Sequence, residues 1–179
     1  PVIVCGLSLG SLLAAHLAAV RPERVLGLVM LANAAWLAAP SSWALAAVDR
    51  FGVRDFSLPK VTSDIADPEA RRTHLTYPAQ PVHAAVSVQR AGAIVREQLP
   101  QVRCPALVVH GARDRVCPVS NARRVLDLLG SSDKRLVILP RSRHIITRDL
   151  ERQRLGSELG AVVSELAGPS RSQRVPVGP

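Results

Sequence analysis

The chain has 179 residues, 47% of them hydrophobic, and a formal net charge of +9. That apolar fraction supports one packed domain of ordinary size and excludes a generally disordered chain. No apolar run reaches the ~18 residues that a membrane-spanning helix needs; the most hydrophobic stretch, Val25 to Leu37, reads as a buried strand with its following turn.

The positive charge is mostly arginine, scattered from Arg21 to Arg174 with only short doublets such as Arg71-Arg72 and Arg123-Arg124. Two Phe, two Trp and one Tyr are too few to interleave with it as a base-stacking surface. The charge therefore reads as solvated surface, and no nucleic-acid partner is implied. Cys5, Cys104 and Cys117 lack the CxxC spacing of a metal or redox site. They read as buried free thiols in a reducing compartment, and the expected location is the cytoplasm.

In chain order, Pro1 to Cys5 is a short apolar run ended by glycine, the pattern of a buried strand. Ser11 to Val20 is rich in Leu and Ala and predicts a helix that Pro22 stops. Val25 to Leu31 predicts the next strand. From Trp36 to Val86 prolines recur, at Pro40, Pro59, Pro68, Pro78 and Pro81, and predict an insertion of small helices and loops. A helix over Ser87 to Leu99 leads to a strand over Ala106 to His110. Then come a helix over Val119 to Leu129 with Gly130 as its stop, a strand over Arg135 to Leu139, and a helix over Asp149 to Leu166. Residues 168–179 predict a frayed, disordered tail. This alternation specifies an α/β fold, a parallel sheet with helices on both faces, carried by residues 1–35 and 87–167.

The chemistry begins at Gly6-Leu7-Ser8-Leu9-Gly10. A strand, Gly-x-Ser-x-Gly and a helix in immediate succession make a sharp turn that lifts the serine above the sheet. Glycines at 6 and 10 are expected because side chains there would collide where strand and helix approach. Ser8 then sits at a helix N-terminus, which favours developing negative charge, and the Leu9 N–H is the expected oxyanion donor. Serine needs a base, and the base needs an orienting acid. Of five histidines, His16 lies inside a helix, His74 and His83 in the insertion, and His110 reads as part of a turn with Gly111. His144 follows a strand by a short loop, at the sheet edge where active-site groups cluster. Asp114 follows another strand, whereas Asp49, Asp55, Asp64 and Asp67 fall in the insertion, Asp127 on a helix, Asp133 on a turn, and Asp149 reads as an N-cap. The alternative for Asp114 is a turn aspartate capping the next helix. Ser8, Asp114 and His144 come in the chain order of a strand-borne hydrolytic triad.

On these residues the chain resembles the α/β-hydrolase superfamily, and within it small bacterial carboxylesterases and monoacylglycerol lipases. The resemblance rests on Gly6 to Gly10, on Leu107-Val108-Val109-His110-Gly111-Ala112-Arg113-Asp114, and on Leu139 to Asp149, with Ser142-Arg143-His144 followed by Ile145-Ile146-Thr147. It implies a serine esterase with triad Ser8, Asp114 and His144, needing no metal or organic cofactor; the alternatives are a hydrolase of another bond type (C–C or thioester) using the same triad, or an inactive fragment or remnant of the fold. It also implies that residues 36–86 are a cap over the site. Trp36, Leu37, Trp43, Leu45, Phe51, Val53 and Phe56 would give that cap an apolar surface; Trp36, Trp43 and Phe51 are the expected substrate contacts. The implied partner is a small ester with an apolar acyl chain. Arg143 and Ser11 stand where such proteins often have glycine, and Arg143 is expected to disfavour a charged His144. Several strands precede the elbow in this fold, and an early loop supplies a second oxyanion N–H. The chain is accordingly expected to be the C-terminal two-thirds of such a fold.

Overall fold

Along the two central strands, side chains alternate between two apolar layers. The computed structural model describes residues 1–39, 41–52, 56–59 and 62–168. Its main sheet has four parallel strands in the order β1 (Val2–Leu7), β2 (Val25–Leu31), β5 (Ala106–Gly111) and β6 (Lys134–Leu139). Leu28, Met30, Ala106 and Val108 point to one face, where α1 (Leu9–Val20), α4 (Val82–Gln98) and α5 (Ser120–Leu128) cover them. Val29, Leu31, Leu107 and Val109 point to the other, where Leu155, Val162 and Leu166 of α6 (Arg152–Ala167) cover them. Burial on both faces is why β2 and β5 are nearly continuous apolar runs.

Between β2 and α4 the chain leaves the sheet. It forms α2 (Ser41–Arg50), a two-stranded antiparallel sheet of β3 (Ser57–Pro59) and β4 (Ala79–Pro81), and the short α3 (Pro68–Arg72). Asp67 caps α3, its carboxylate accepting from the Glu69 and Ala70 N–H groups. Val53 and Asp55 of this insertion, and residues 169–179 of the expected tail, lie outside the described residues.

Several expectations shift. Helix α1 begins at Leu9, two residues early, because it starts directly on the Gly6–Gly10 turn. Helix α4 begins at Val82 and not at Ser87, so the boundary expected at 86/87 falls inside it. Val82 and Val86 are buried one turn apart and extend the apolar stripe that reaches Val95. Helix α6 begins at Arg152, and Asp149 does not cap it. Cys5 is exposed, against the expectation of three buried thiols, because among the described residues β1 has a strand neighbour on one side alone; Cys117 is buried and Cys104 half-buried.

Candidate active site

Ser8 joins β1 to α1 with φ 55° and ψ −117°. Positive φ is uncommon for a residue with a side chain and persists only where its surroundings hold it. Here the Ser8 N–H donates to the Leu31 carbonyl (2.9 Å), and the Ser8 carbonyl accepts from the Ser11 N–H (3.0 Å) and Oγ (2.6 Å). Ser11, which departs from the family's glycine, thus braces the turn from inside. A Cβ on Gly6 would sit 2.0 Å from the Gly10 carbonyl oxygen, so the turn requires that glycine. Gly10 is different: a Cβ there would meet nothing within 4 Å, and the expected collision is absent. The Leu9 N–H opens α1 and has no acceptor within the helix.

Ser8, Asp114 and His144 follow β1, β5 and β6 at the carboxyl edge of the sheet. The Ala32 N–H donates to Val109 and the Ala112 N–H to Leu139, so the strand ends advance in step. Ser8 Oγ lies 2.9 Å from His144 Nε2, and His144 Nδ1 lies 2.8 Å from Asp114 Oδ2. The carboxylate can only accept, so Nδ1 carries the proton and the neutral ring turns the Nε2 lone pair to Ser8. Asp114 Oδ1 accepts from the Val116 and Cys117 N–H groups, both at 2.8 Å. One oxygen of Asp114 thus pins the turn before α5 and the other faces the histidine; it does not cap α5, whose N-cap is Val119 with no side-chain cap bond. Burial pushes this carboxyl up, but hydrogen bonds from His110, His144 and the Cys117 backbone outweigh it and hold it well below the usual range.

Three other carboxylates build the loop that carries His144. Asp149 accepts from the N–H groups of Ala66 (3.0 Å), Asp67 (2.9 Å), Arg143 (2.7 Å) and Leu150 (2.8 Å). Burial pushes Asp149 up, and those four donors more than offset it. Glu151 accepts from the Arg141 N–H (2.8 Å) and Ser142 Oγ (2.9 Å). Asp64 Oδ2 accepts from the His144 N–H (3.2 Å) and the Arg115 N–H (2.9 Å), and its carbonyl from the Ile145 N–H (3.1 Å). Arg143 turns its guanidinium toward Asp64, at 4.0 Å, so a carboxylate faces its charge. Sequence reasoning missed Asp64 because its partners lie 51 and 80 residues away and leave no local pattern.

A cavity of about 310 Å³ opens on Ser8 and His144 and is walled by Thr62, Ser63, Asp64 and Gln80. A second, of about 550 Å³, is lined by Leu37, Leu45, Phe56, Leu58 and Val82; the two share Gln80 and Val116. The expected contacts Trp36, Trp43 and Phe51 line neither. Trp36 packs on the core with the Arg124 and Arg96 guanidinium groups 3.7 and 5.1 Å from its ring centroid. Trp43 and Phe51 are 73% and 77% exposed. Among the described residues, no group of three His, Cys, Asp or Glu is placed to hold a metal ion, and no helix is long and apolar enough to cross a membrane.

The chain is 28% identical over 150 residues to the thermostable monoacylglycerol lipase of Bacillus sp. (strain H-257), covering 84% of this chain and 57% of that protein. It is 27% identical over 162 residues to the monoglyceride lipase of Homo sapiens, covering 84% and 53%. The chain thus spans little more than half the length of these relatives. Among solved structures, one reported with the metagenome-derived lipolytic enzymes LipS and LipT superposes with a TM-score of 0.82 at 30% identity, covering 90% of this chain and 64% of that one. The soluble variant of the Saccharomyces cerevisiae monoglyceride lipase, at 15% identity and a TM-score of 0.79, shares the fold, covering 93% and 62%. The profile of the Hydrolase_4 family (serine aminopeptidase, S33) matches residues 1–151, most of the chain. With the parallel sheet, the strand–turn–helix at Ser8 and these matches in hand, the chain belongs to the Hydrolase_4 family of α/β-hydrolases.

Proposed function

We propose that this chain carries the nucleophile, base and acid of a serine hydrolase that cleaves carboxylic esters with an apolar acyl chain. The observation that carries this reading is the unbroken contact from Ser8 Oγ through His144 to Asp114, at 2.9 and 2.8 Å. His144 Nε2 takes the Ser8 proton as Oγ attacks the ester carbonyl, and Asp114 steadies the imidazolium that forms. The Leu9 N–H, at the positive end of α1, donates to the oxyanion. His144 returns the proton to the departing alcohol, leaving an acyl-enzyme. Water then repeats the attack with His144 again as base.

The two adjoining cavities suit the two halves of such a substrate. The acyl chain enters the apolar chamber under Leu45, Phe56 and Leu58, and the alcohol occupies the polar one beside Ser63 and Gln80. Each methylene buried is worth about 0.8 kcal/mol, so kcat/KM should rise up to about fourfold per methylene until the chamber fills. Turnover of p-nitrophenyl esters from acetate to palmitate by the natural gene product tests this. A rise with chain length is expected. A flat series, or preferential cleavage of aminoacyl nitroanilides, would contradict it.

A further inference from the structure

His110 sits at the carboxyl end of β5 and reads from sequence as part of a turn. In the structure its side chain is completely buried. Nε2 lies 3.1 Å from Asp114 Oδ2 and 3.2 Å from the Cys117 carbonyl oxygen. Both neighbours are acceptors, so Nε2 must carry a proton. Nδ1 is buried with no hydrogen-bond partner among the described residues. A second proton there would be a buried unsatisfied donor, so the partners assign a neutral ring protonated at Nε2 alone.

Asp114 is therefore gripped on both oxygens. Oδ1 holds two backbone N–H groups; Oδ2 accepts from His144 and lies 3.1 Å from His110 Nε2, whose single N–H it shares with the Cys117 carbonyl. A carboxylate offers about four lone-pair sites; three have their own donors and the fourth faces this shared N–H. Rotating the carboxylate to release His144 would also break the bond to His110 and both backbone bonds. The neighbouring Gly111 brings the two loops into backbone contact, since a Cβ there would sit 2.2 Å from the Arg143 carbonyl oxygen. His110 does not line the cavity beside Ser8, so it has no route to substrate.

We propose that His110 is a positioning residue, whose Nε2–H fixes the Asp114 oxygen that orients His144 toward Ser8. The proposal rests on Ser8, His144 and Asp114 acting as a triad. It distinguishes two variants of similar polarity: a Gln amide places its nitrogen near Nε2, and an Asn amide places its nitrogen near Nδ1, away from Asp114. Loss of one hydrogen bond to a buried charge predicts that His110→Asn lowers kcat about tenfold or more. KM should stay within about twofold, and His110→Gln should recover most of the loss. A histidine that merely packs predicts instead that both variants keep the parental kcat, or fall together with their melting temperatures; either result overturns the proposal. The low-field proton resonance of His144 Nδ1–H gives a readout that needs no turnover. It should be present in the parent, retained in His110→Gln and shifted or lost in His110→Asn, and an unchanged resonance in His110→Asn overturns the proposal. If the parent neither turns over esters nor reacts at Ser8 with a fluorophosphonate, the esterase reading fails, and the resonance alone decides the role of His110.

Discussion

Residues 110–117 and 141–151 hold their side chains with buried carboxylates, each accepting several hydrogen bonds, whereas residues 41–52 and 56–59 hold theirs mostly at the surface. Helix α2 buries no residue and every residue of β3 is exposed. Asp114, by contrast, has a fully buried side chain, and Asp149 and Glu151 are buried between loop backbones. The difference teaches where position matters. Under the proposed function, proton transfer would tolerate little displacement, which fits the many bonds that fix the loops around His144. An acyl chain would ask only for apolar volume, which fits the exposed side chains of the insertion.

The sharpest way to break this contrast is to remove a carboxylate from the rigid region. Asp149→Ala leaves four backbone donors without their acceptor and should destabilise the protein by about 3 kcal/mol. At about 2–4 °C per kcal/mol for a chain of this size, Tm should fall about 6–12 °C at neutral pH. The sign with pH follows from its depressed carboxyl. The stabilisation is present above the carboxyl's unfolded value and is lost as pH falls through the lower, folded one. The acid decline in Tm should therefore be shallower in Asp149→Ala than in the parent. Thermal melts across pH check both points, and a variant melting within about 2 °C of the parent at pH 7 would contradict the account.

The smallest effect is expected in the insertion. Trp43→Ser and Phe51→Ser remove exposed rings that line neither cavity, so Tm should shift by no more than about 2 °C. Ester turnover should stay within about twofold of the parent. A larger loss of turnover, read in the same assay, would return those rings to the substrate path that the sequence suggested.

Much of the core was legible because two-residue alternation in β2 and β5, and glycine or proline at element ends, are local signals. The contact from Ser8 through His144 to Asp114 was legible for a related reason: each of the three follows its own strand closely. What escaped was non-local. Asp149 obeys the local rule for a helix cap, yet its carboxylate turns back to Ala66 and Asp67, more than 80 residues earlier. Asp64 looked like one more acid in an irregular segment until the fold set it under the His144 backbone. Trp36 carried the composition of a substrate contact, but two arginines from α4 and α5 claim its ring.

The central claim is that Ser8 is a nucleophile activated by His144. Incubating the natural gene product with a fluorophosphonate and mapping the adduct by peptide mass tests it directly. The account predicts a single adduct on the peptide containing Ser8, absent in Ser8→Ala and strongly slowed in His144→Ala. No adduct at Ser8 in the folded parent, or equal labelling with and without His144, would contradict it.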